Sequence, residues 1–336
     1  MSDPVLSVEH LDVGYDDRVV VSDFSLTVRA GEFVSLLGPS GCGKTTVLRA
    51  LAGFLPVRHG RIVLGGAEIT RDPPERRDIG IVFQNYALFP TMTAFENIAF
   101  GLRVARLPHA EVEARVQQIA DTAAISDCLQ HKPAMLSGGQ QQRVATARAL
   151  VLRPRVLLFD EPFSNLDAKV RVAMRREIKR LQRELGFTAL FVTHDQDEAL
   201  SLSDTIVVMR EGTIEQVGDG RTLYRTPASP FICRFVGAAN ELPPALVERL
   251  LGRPANGRTL VRHEDVILTK SDGAAMDAAM LEAEVVDVEF LGAQSRVDCD
   301  LAGHRITAVR HGGELPQIGE RVGIHIRPGA AHVFAE

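Results

Sequence analysis

The stretch from Gly38 to Thr46 constrains the fold more than any other part of this chain. It reads GPSGCGKTT, a full match to the phosphate-loop pattern GxxxxGK[ST]. The apolar run just before it, residues 33–37, is too short for a helix, whereas residues 45–52 just after it have a helical pattern that Gly53 closes. A strand, a glycine loop and a helix in this order predict an α/β fold whose loop binds phosphate.

Each residue type in this loop has a chemical reason to be there. Glycines let main-chain N–H groups approach the β- and γ-phosphates of a nucleotide without obstruction by a Cβ atom. Lys44 supplies a positive charge to the phosphates, and the hydroxyl of Thr45 is placed to bind Mg²⁺. Cys42 is either an oxidisable thiol or a small filler. The predicted nucleotide-binding residues of the loop are Gly38, Pro39, Ser40, Gly41, Cys42, Gly43, Lys44, Thr45 and Thr46.

Short apolar runs alternate with helical stretches on either side of this loop. Residues 94–128 are mainly helical, and Asp167 reads as the N-cap of a further helix. The segments that read as strands, besides the one before the loop, are residues 4–31 (a pair around a turn), 79–83, 155–159 and 189–193. Strands that alternate with helices predict a mainly parallel sheet with phosphate chemistry at the C-terminal ends of its strands.

Polar residues follow the last three of these strands. Gln84 follows the first of them, and its amide can reach a metal ion and a water molecule; His194 follows the last. Asp160 ends the middle strand, where a carboxylate can hold Mg²⁺ through its water shell, and Glu161 is the candidate general base for the attacking water. Alone, an Asp-Glu pair is a solvated turn and a single histidine is structural. The phosphate loop upstream favours the catalytic interpretation of both.

The segment LSGGQQQR, residues 136–143, is a glycine-rich turn that opens a helix, where backbone N–H groups can meet an anion. It lies between the phosphate loop and Asp160-Glu161, and His194 follows both. Four phosphate-chemistry elements in this order resemble the nucleotide-binding subunit of an ATP-binding cassette (ABC) transporter over roughly the first 235 residues. The resemblance implies a P-loop ATPase domain with an antiparallel β subdomain and a helical signature subdomain, using ATP and Mg²⁺.

The resemblance also implies roles for single residues. Gln84 corresponds to the Q-loop glutamine, whose loop touches the membrane partner, and the run VFQNYALFP at residues 82–90 resembles importer-type subunits. His194 corresponds to the switch histidine that contacts the γ-phosphate. Tyr15 is either the aromatic residue that stacks on adenine or an ordinary turn tyrosine.

The signature segment and the D-loop, residues 164–167, imply a second copy of the chain. By resemblance, the signature residues that present amides and a helix dipole to ATP bound by the other subunit are Ser137, Gly138, Gly139 and Gln140. The D-loop crosses the same interface and brings Asp167 to the nucleotide. Each chain then contains two half-sites, and an ATP-dependent homodimer with two complete sites follows from two-fold symmetry.

The C-terminal third of the chain has a different pattern. Residues 226–244, which contain several prolines, read as a connection. Short alternating runs separated by glycine turns then follow at residues 260–268, 282–290, 294–301, 304–309 and 321–326. They predict a small all-β barrel of the OB type, which resembles the regulatory β-domain appended to many import ATPases. The predicted domains are residues 1–235 and 236–336.

Composition limits the partners and the compartment. The net charge of −5 argues against a nucleic-acid partner. The four cysteines form no C-x-x-C pair, which is typical of a reducing cytoplasm. No stretch approaches the ~18 apolar residues that a transmembrane helix needs. We therefore expect a peripheral protein on the cytoplasmic face of the inner membrane, bound there through a partner that spans the membrane.

Taken together, these features predict the ATP-hydrolysing subunit of an ABC importer. As a homodimer, it uses ATP hydrolysis to power transport through integral membrane permease subunits, to which a solute-binding protein delivers the solute. Among the resembling groups, which serve polyamines, ferric iron, phosphonates or sugars, the polyamine type is slightly favoured. The alternatives are a soluble ABC ATPase acting on ribosomes or DNA without a permease, a regulatory module that holds ATP and barely hydrolyses it, and an exporter. Intact Glu161 and His194 argue against the regulatory module.

Overall fold

The structure is a computed structural model, and it describes residues 4–252, 254, 256–270 and 280–335. The described chain divides into two compact units, one that ends at Gly220 and one that begins at Arg221. The sequence-predicted domain boundary lies after residue 235. Two short helices, described below, fall between these two positions.

The first unit contains ten strands and six helices among its described residues. The strands are β1 (Pro4–Tyr15), β2 (Arg18–Arg29), β3 (Phe33–Leu37), β4 (Val57–Leu64), β5 (Ala67–Glu68), β6 (Ile79–Val82), β7 (Val156–Asp160), β8 (Thr188–Thr193), β9 (Thr205–Arg210) and β10 (Thr213–Gly218). The helices are α1 (Lys44–Ala52), α2 (Ala94–Val104), α3 (His109–Thr122), α4 (Gly138–Leu150), α5 (Ala168–Leu185) and α6 (Gln196–Leu202).

A six-stranded sheet forms the centre of this unit, with the strand order β10-β9-β3-β8-β7-β6. All neighbours in it are parallel except β10 and β9, which confirms the predicted mainly parallel sheet. Alternate residues of β7 face two separate cores: Leu157 and Phe159 pack with α2 to α5, and Val156 and Leu158 pack with α1. Burial on both faces explains why these strands are continuous apolar runs.

Two further parts of the first unit agree with the sequence predictions. A four-stranded antiparallel sheet, ordered β2-β1-β4-β5, shares a core with α1. The helices α2, α3 and α4 pack together through residues at helical spacing, such as Val112, Val116 and Ile119. The predicted α/β fold with an antiparallel β subdomain and a helical subdomain is confirmed.

The second unit is rich in antiparallel strands. Its helices are α7 (Gly220–Arg225, which begins at the division), α8 (Pro230–Phe235) and α9 (Pro244–Leu251). Its strands are β11 (Ala239–Leu242), β12 (Arg258–Arg262), β13 (Val266–Lys270), β14 (Leu281–Phe290), β15 (Ser295–Leu301), β16 (His304–Arg310), β17 (Arg321–Ile326) and β18 (Ala331–Phe334). They form a three-stranded sheet, β11-β12-β18, and a five-stranded sheet, β13-β17-β14-β15-β16. The predicted β-rich C-terminal domain is confirmed.

Two local predictions in this unit are wrong. The single run predicted at residues 260–268 is two strands in different sheets, because a 3-10 turn at His263–Asp265 bends the chain between β12 and β13. The proline pair that read as part of the connection opens a helix instead, with Pro244 in the first turn of α9. Proline suits that position because the N–H groups in the first turn of a helix have no acceptor within the helix, so a residue without an N–H loses no hydrogen bond there.

One buried arginine explains why the two short helices belong to the second unit. Arg262, at the end of β12, is only 1% exposed. Its guanidinium donates to the carbonyl oxygens of Tyr224 (2.6 Å), Cys233 (2.9 Å) and Val236 (2.8 Å), and it lies 3.8 Å from the centroid of the Tyr224 ring. These contacts attach the segment that contains α7 and α8 to the β-rich unit.

None of the helices in the described part of the chain combines the length and the apolar character that crossing a lipid bilayer requires. All four cysteines are free and buried, and burial raises the pKa of the Cys299 thiol to about 11.

Candidate nucleotide site

The phosphate loop joins β3 to α1, and its shape depends on glycine. Gly41 and Gly43 have left-handed φ values of 82° and 104°. A residue with a Cβ atom would be strained in this conformation. Space is equally limiting, since a Cβ atom at Gly43 would lie 2.5 Å from Cγ2 of Val21, and one at Gly38 would lie 2.4 Å from the carbonyl oxygen of Met209. The sequence motif therefore forms a compact loop at the C-terminal end of β3.

Lys44 is a buried cation inside this loop, with only 5% of its surface exposed. Its ammonium group donates to the carbonyl oxygens of Gly38 (2.7 Å) and Pro39 (3.0 Å). Cys42 is buried as well, and its Sγ lies 3.8 Å from the same ammonium group. The tight packing of Cys42 favours its interpretation as a filler. The charge of Lys44 is thus held by two hydrogen bonds to carbonyls of its own loop.

Thr45 and Asp160 bring two oxygen ligands together below the loop. The Thr45 hydroxyl donates to Oδ1 of Asp160 over 3.2 Å, although the two residues are far apart in sequence. Burial raises the pKa of Asp160, and the hydrogen bond from Thr45 opposes part of that effect. A hydroxyl and a half-buried carboxylate suit Mg²⁺, a hard cation that prefers oxygen ligands and compensates desolvated negative charge.

Glu161, just after β7, lies next to His194, just after β8. Oε2 of Glu161 is 3.1 Å from Nδ1 of His194 and accepts a hydrogen bond of 3.0 Å from the Ser164 hydroxyl. The backbone of Glu161 is left-handed, with a φ of 44°, and its N–H donates to the carbonyl of Val192. A strained backbone at a carboxylate that meets a histidine is the kind of outlier that clusters at functional sites.

The signature segment forms the N-terminus of α4. Ser137 is its N-cap and forms a capping box with Gln140: the Ser137 hydroxyl accepts from the Gln140 N–H (3.3 Å), and Oε1 of Gln140 accepts from the Ser137 N–H (2.9 Å). A Cβ atom at Gly138 would lie 3.0 Å from Cδ2 of Leu166 in the D-loop, and the nearest neighbour of one at Gly139 would be 3.5 Å away. Among the described hydrogen bonds, none joins the signature residues to the phosphate loop of the same chain.

The remaining predicted residues lie near these elements. Tyr15 ends β1 and is 42% exposed, and its hydroxyl accepts from Arg49 of α1 over 3.3 Å. Gln84 has an exposed side chain, which no described hydrogen bond joins to Thr45 or Asp160. Their roles, and that of Asp167, stay predictions. Asp167 caps α5 as predicted, with its carboxylate accepting from the N–H of Val170 over 2.9 Å.

Sequence reasoning missed three side chains that connect the motifs through backbone carbonyls. Arg148 of α4 donates to the carbonyls of Tyr86 and Ala87 in the Q-loop, over 2.9 and 2.8 Å, and both of these residues have left-handed φ values. Asn165 of the D-loop donates to the carbonyl of Gln84 over 3.0 Å. The third is Arg171, at the start of α5. One signal for Arg148 was available in the sequence. Arg148 is a cation in the largely apolar C-terminal half of its helix, and a buried cation needs hydrogen-bond partners.

Family profiles match both units of the chain. A profile described as ABC transporter matches residues 21–164, which include the phosphate loop, the signature segment and Glu161. A profile described as TOBE domain matches residues 259–334, which cover most of the second unit.

Whole-length relatives and a solved structure agree with these matches. The chain is 63% identical to the uncharacterised ABC transporter ATP-binding protein y4fO of Sinorhizobium fredii, over 100% of this chain and 97% of the relative. It is 41% identical to the spermidine/putrescine import ATP-binding protein PotA of Haemophilus influenzae, over 96% of this chain and 94% of that one. The solved structure of cbiO1 from Clostridium perfringens, part of the ABC transporter complex cbiONQ, is similar with a TM-score of 0.61 and 32% identity, covering 65% of this chain and 89% of that chain.

Proposed function

Because this chain belongs to the ATP-binding subunits of ABC transporters, we propose that ATP hydrolysis at this site drives the uptake of a polyamine-type solute through a membrane permease. The observation that carries the proposal is the convergence of three strand ends: the loop of Lys44 after β3, Asp160 and Glu161 at the end of β7, and His194 after β8. The solute class rests on the name of the relative that is 41% identical over nearly the whole chain.

Binding is the task of the phosphate loop. Lys44 exchanges its bonds to the Gly38 and Pro39 carbonyls for phosphate oxygens, and the loop amides surround the same anion. Thr45 and Asp160 would hold Mg²⁺, and Gln84 is a third candidate ligand. When bound, the ion neutralises the charge of the phosphates and fixes their orientation. The Tyr15 ring, exposed at the end of β1, offers a surface for the adenine base.

Hydrolysis is the task of the neighbouring pair. Glu161 orients the attacking water and accepts its proton as the general base. His194, 3.1 Å from Oε2 of Glu161, is placed to bridge that carboxylate and the terminal phosphate. Because its N–H donates to the Val192 carbonyl and its Oε2 accepts from Ser164, Glu161 is oriented before the substrate arrives.

A second copy of the chain completes each site in this proposal. Ser137, Gly138 and Gly139 form the N-terminal end of α4, and the positive end of a helix dipole suits a γ-phosphate. They have no hydrogen bond to their own phosphate loop among the described residues, which fits a role opposite the loop of a partner copy. ATP then joins the two copies, and its hydrolysis loosens them. Integral permease subunits hold the dimer at the cytoplasmic face of the membrane, and a solute-binding protein supplies the solute.

The alternative functions have less support. Neither of the two relatives reported above is named for action on ribosomes or DNA. A module that barely hydrolyses ATP would not need Glu161 and His194 held in contact. An exporter is disfavoured by the C-terminal β-rich unit, whose resemblance is to import ATPases.

A purification from membranes tests the proposal. A tagged Glu161→Gln chain is solubilised from native membranes with ATP in mild detergent, with the tag alone as the control. We expect a multi-span permease to be recovered, and its binding protein can then be titrated with spermidine and putrescine. Recovery of ribosomal or DNA-bound proteins without a permease would contradict the transport proposal, and a binding protein that ignores both polyamines would contradict the solute class.

A further inference from the structure

Arg171 connects the D-loop to the loop that carries His194. It lies in the first turn of α5, just after the D-loop. One terminal nitrogen of its guanidinium donates to Oδ2 of Asp195 over 3.3 Å, and the other donates to the carbonyl of Leu166 over 3.3 Å. Its Nε lies 3.8 Å from Oε1 of the buried Glu198. A single planar group therefore touches the residue next to His194, the D-loop and the first turn of α6.

The contacts around Asp195 fix the backbone on both sides of His194. The Asp195 N–H donates to the hydroxyl of Thr193 (2.9 Å), and that hydroxyl donates to Oε2 of Glu198 (2.6 Å). Oδ1 of Asp195 accepts from the N–H of Glu198 over 3.1 Å. Thr193 and Asp195, which flank His194 directly, are thus tied to one network, and Arg171 is its link to the D-loop.

His194 itself has little else to hold its side chain. Its imidazole is 54% exposed, and its one described hydrogen-bond partner is Oε2 of Glu161. The direction in which the ring points is therefore determined mainly by the backbone of the loop from Thr193 to Asp195. A change in that backbone moves the imidazole relative to Glu161.

We propose that Arg171 is a positioning residue for hydrolysis. It keeps His194 aligned with Glu161 and couples that alignment to the position of the D-loop. The inference rests on the proposed ATPase function and adds a residue to it. Arg171 touches neither Glu161 nor His194 among the described contacts, so it acts through Asp195 and Leu166. A lysine has a single point of charge and cannot donate to both partners with the geometry of a planar fork.

The electrostatic environment predicts that the loss of Arg171 affects geometry more than stability. The side chains of Arg171 and Asp195 are 30% and 26% exposed, and ion pairs that water reaches contribute little to stability. Glu198 keeps its hydrogen bond to Thr193 when Arg171 is absent. Reaction geometry is more sensitive, because a displacement of ~1 Å can cost ~10²-fold in rate.

The first test compares steady-state ATP hydrolysis by the parent and by Arg171→Ala, Arg171→Lys and Arg176→Ala. Arg176 lies on the same helix, is exposed and has no described hydrogen bond or ion pair, so it is the matched control. We expect Arg171→Ala to lower kcat by about 10- to 10²-fold with little change in KM for ATP, because the phosphate loop is untouched. Arg171→Lys should recover part of kcat, and Arg176→Ala should equal the parent.

The second test observes His194 without using activity. Histidine side-chain NMR signals are recorded for the same four proteins, with the His194 signal assigned through a His194→Gln variant. We expect the His194 signal to shift in Arg171→Ala and to stay unchanged in Arg176→Ala. An unchanged His194 signal in folded Arg171→Ala overturns the inference, as does a fall in kcat that only follows the folded fraction. If the parent does not hydrolyse ATP, the proposed function fails, while the NMR comparison still decides whether Arg171 positions His194.

Discussion

Each of the two units of this chain buries a cation against backbone carbonyls, but the two cations are held in different ways. In the first unit, Lys44 donates to two carbonyls of its own glycine loop, and one of them belongs to the exposed Pro39. In the second unit, Arg262 donates to three carbonyls from two other segments and stacks on Tyr224. In the proposed function the first arrangement is exchanged for the phosphates of a nucleotide, whereas the second joins segments of the fold. A buried charge is therefore evidence of function only when its partners can be replaced.

The largest difference between the two cations is expected when each is truncated. We expect Lys44→Ala to weaken ATP binding by about 10²-fold, because a buried charge that pairs with an anion is worth several kcal/mol. Its effect on thermal unfolding should be smaller than that of Arg262→Ala, because only one of the two carbonyls that it leaves, that of Gly38, is buried. Isothermal titration with ATP and thermal melting measure the two effects on the same protein. Equal ATP affinity in parent and variant would contradict the assignment of Lys44.

The opposite pattern is expected for Arg262. We expect Arg262→Ala to lower the free energy of unfolding of the second unit by about 3 kcal/mol, because it leaves buried carbonyls without donors. ATP hydrolysis by the first unit should continue. Differential scanning calorimetry and a phosphate-release assay check the two statements, with Arg258→Ala, at an exposed position of the same strand, as the control. If Arg262→Ala were as stable as the parent, the claim that Arg262 stabilises the fold of the second unit would be wrong.

A smaller effect is expected for two polar residues, one in each unit: the half-buried Asp160, assigned to function, and the buried Asn240, which serves the fold. Burial raises the pKa of Asp160, so above that pKa its charged form lowers the free energy of unfolding relative to a neutral residue. We expect Asp160→Asn to raise the melting temperature at neutral pH in the absence of Mg²⁺ while it abolishes hydrolysis. The gain should disappear below about pH 3, where Asp160 is protonated in both the folded and the unfolded state.

The matched residue in the second unit is Asn240, which joins the two sheets. Its amide donates to the carbonyl of Thr307 and its Oδ1 accepts from the Thr307 N–H, both over 2.8 Å. We expect Asn240→Asp to lower the melting temperature, because a carboxylate cannot donate to that carbonyl. A loss of stability in Asp160→Asn, or a gain in Asn240→Asp, would contradict the comparison. Thermal melts of both variants across pH decide it.

The first unit was predictable because its signals are local. The motif of the phosphate loop, the N-cap at Asp167 and the apolar strands before Gln84, Asp160 and His194 are each encoded within a few neighbouring residues. Parallel strands then bring their C-terminal ends to one edge of the sheet, which made the proximity of Glu161 and His194 foreseeable.

The rest depends on contacts that no local pattern encodes. Arg262 precedes the bend between β12 and β13, and its partners lie up to 38 residues away in the sequence. Nothing near Arg262 in the sequence indicates these contacts, so a continuous strand was the natural but wrong prediction. Glu161 and Tyr86 have left-handed backbones. Because neither residue is a glycine, the sequence does not indicate this conformation. Arg148 and Arg171 bind backbone carbonyls. Every residue has a carbonyl, so the residue types of the partners do not identify these contacts. Tertiary hydrogen bonds of this kind become visible only in the structure.

The most direct measurement is the rate of phosphate release from Mg–ATP by the parent chain and by Glu161→Gln. The substitution keeps the shape of the side chain and removes the carboxylate that would act as the base. We expect the parent to hydrolyse ATP and the variant to be slower by about 10²- to 10⁴-fold while it still binds ATP. A variant that releases phosphate at the parental rate would show that Glu161 is not the base, and the catalytic account of this site would be wrong.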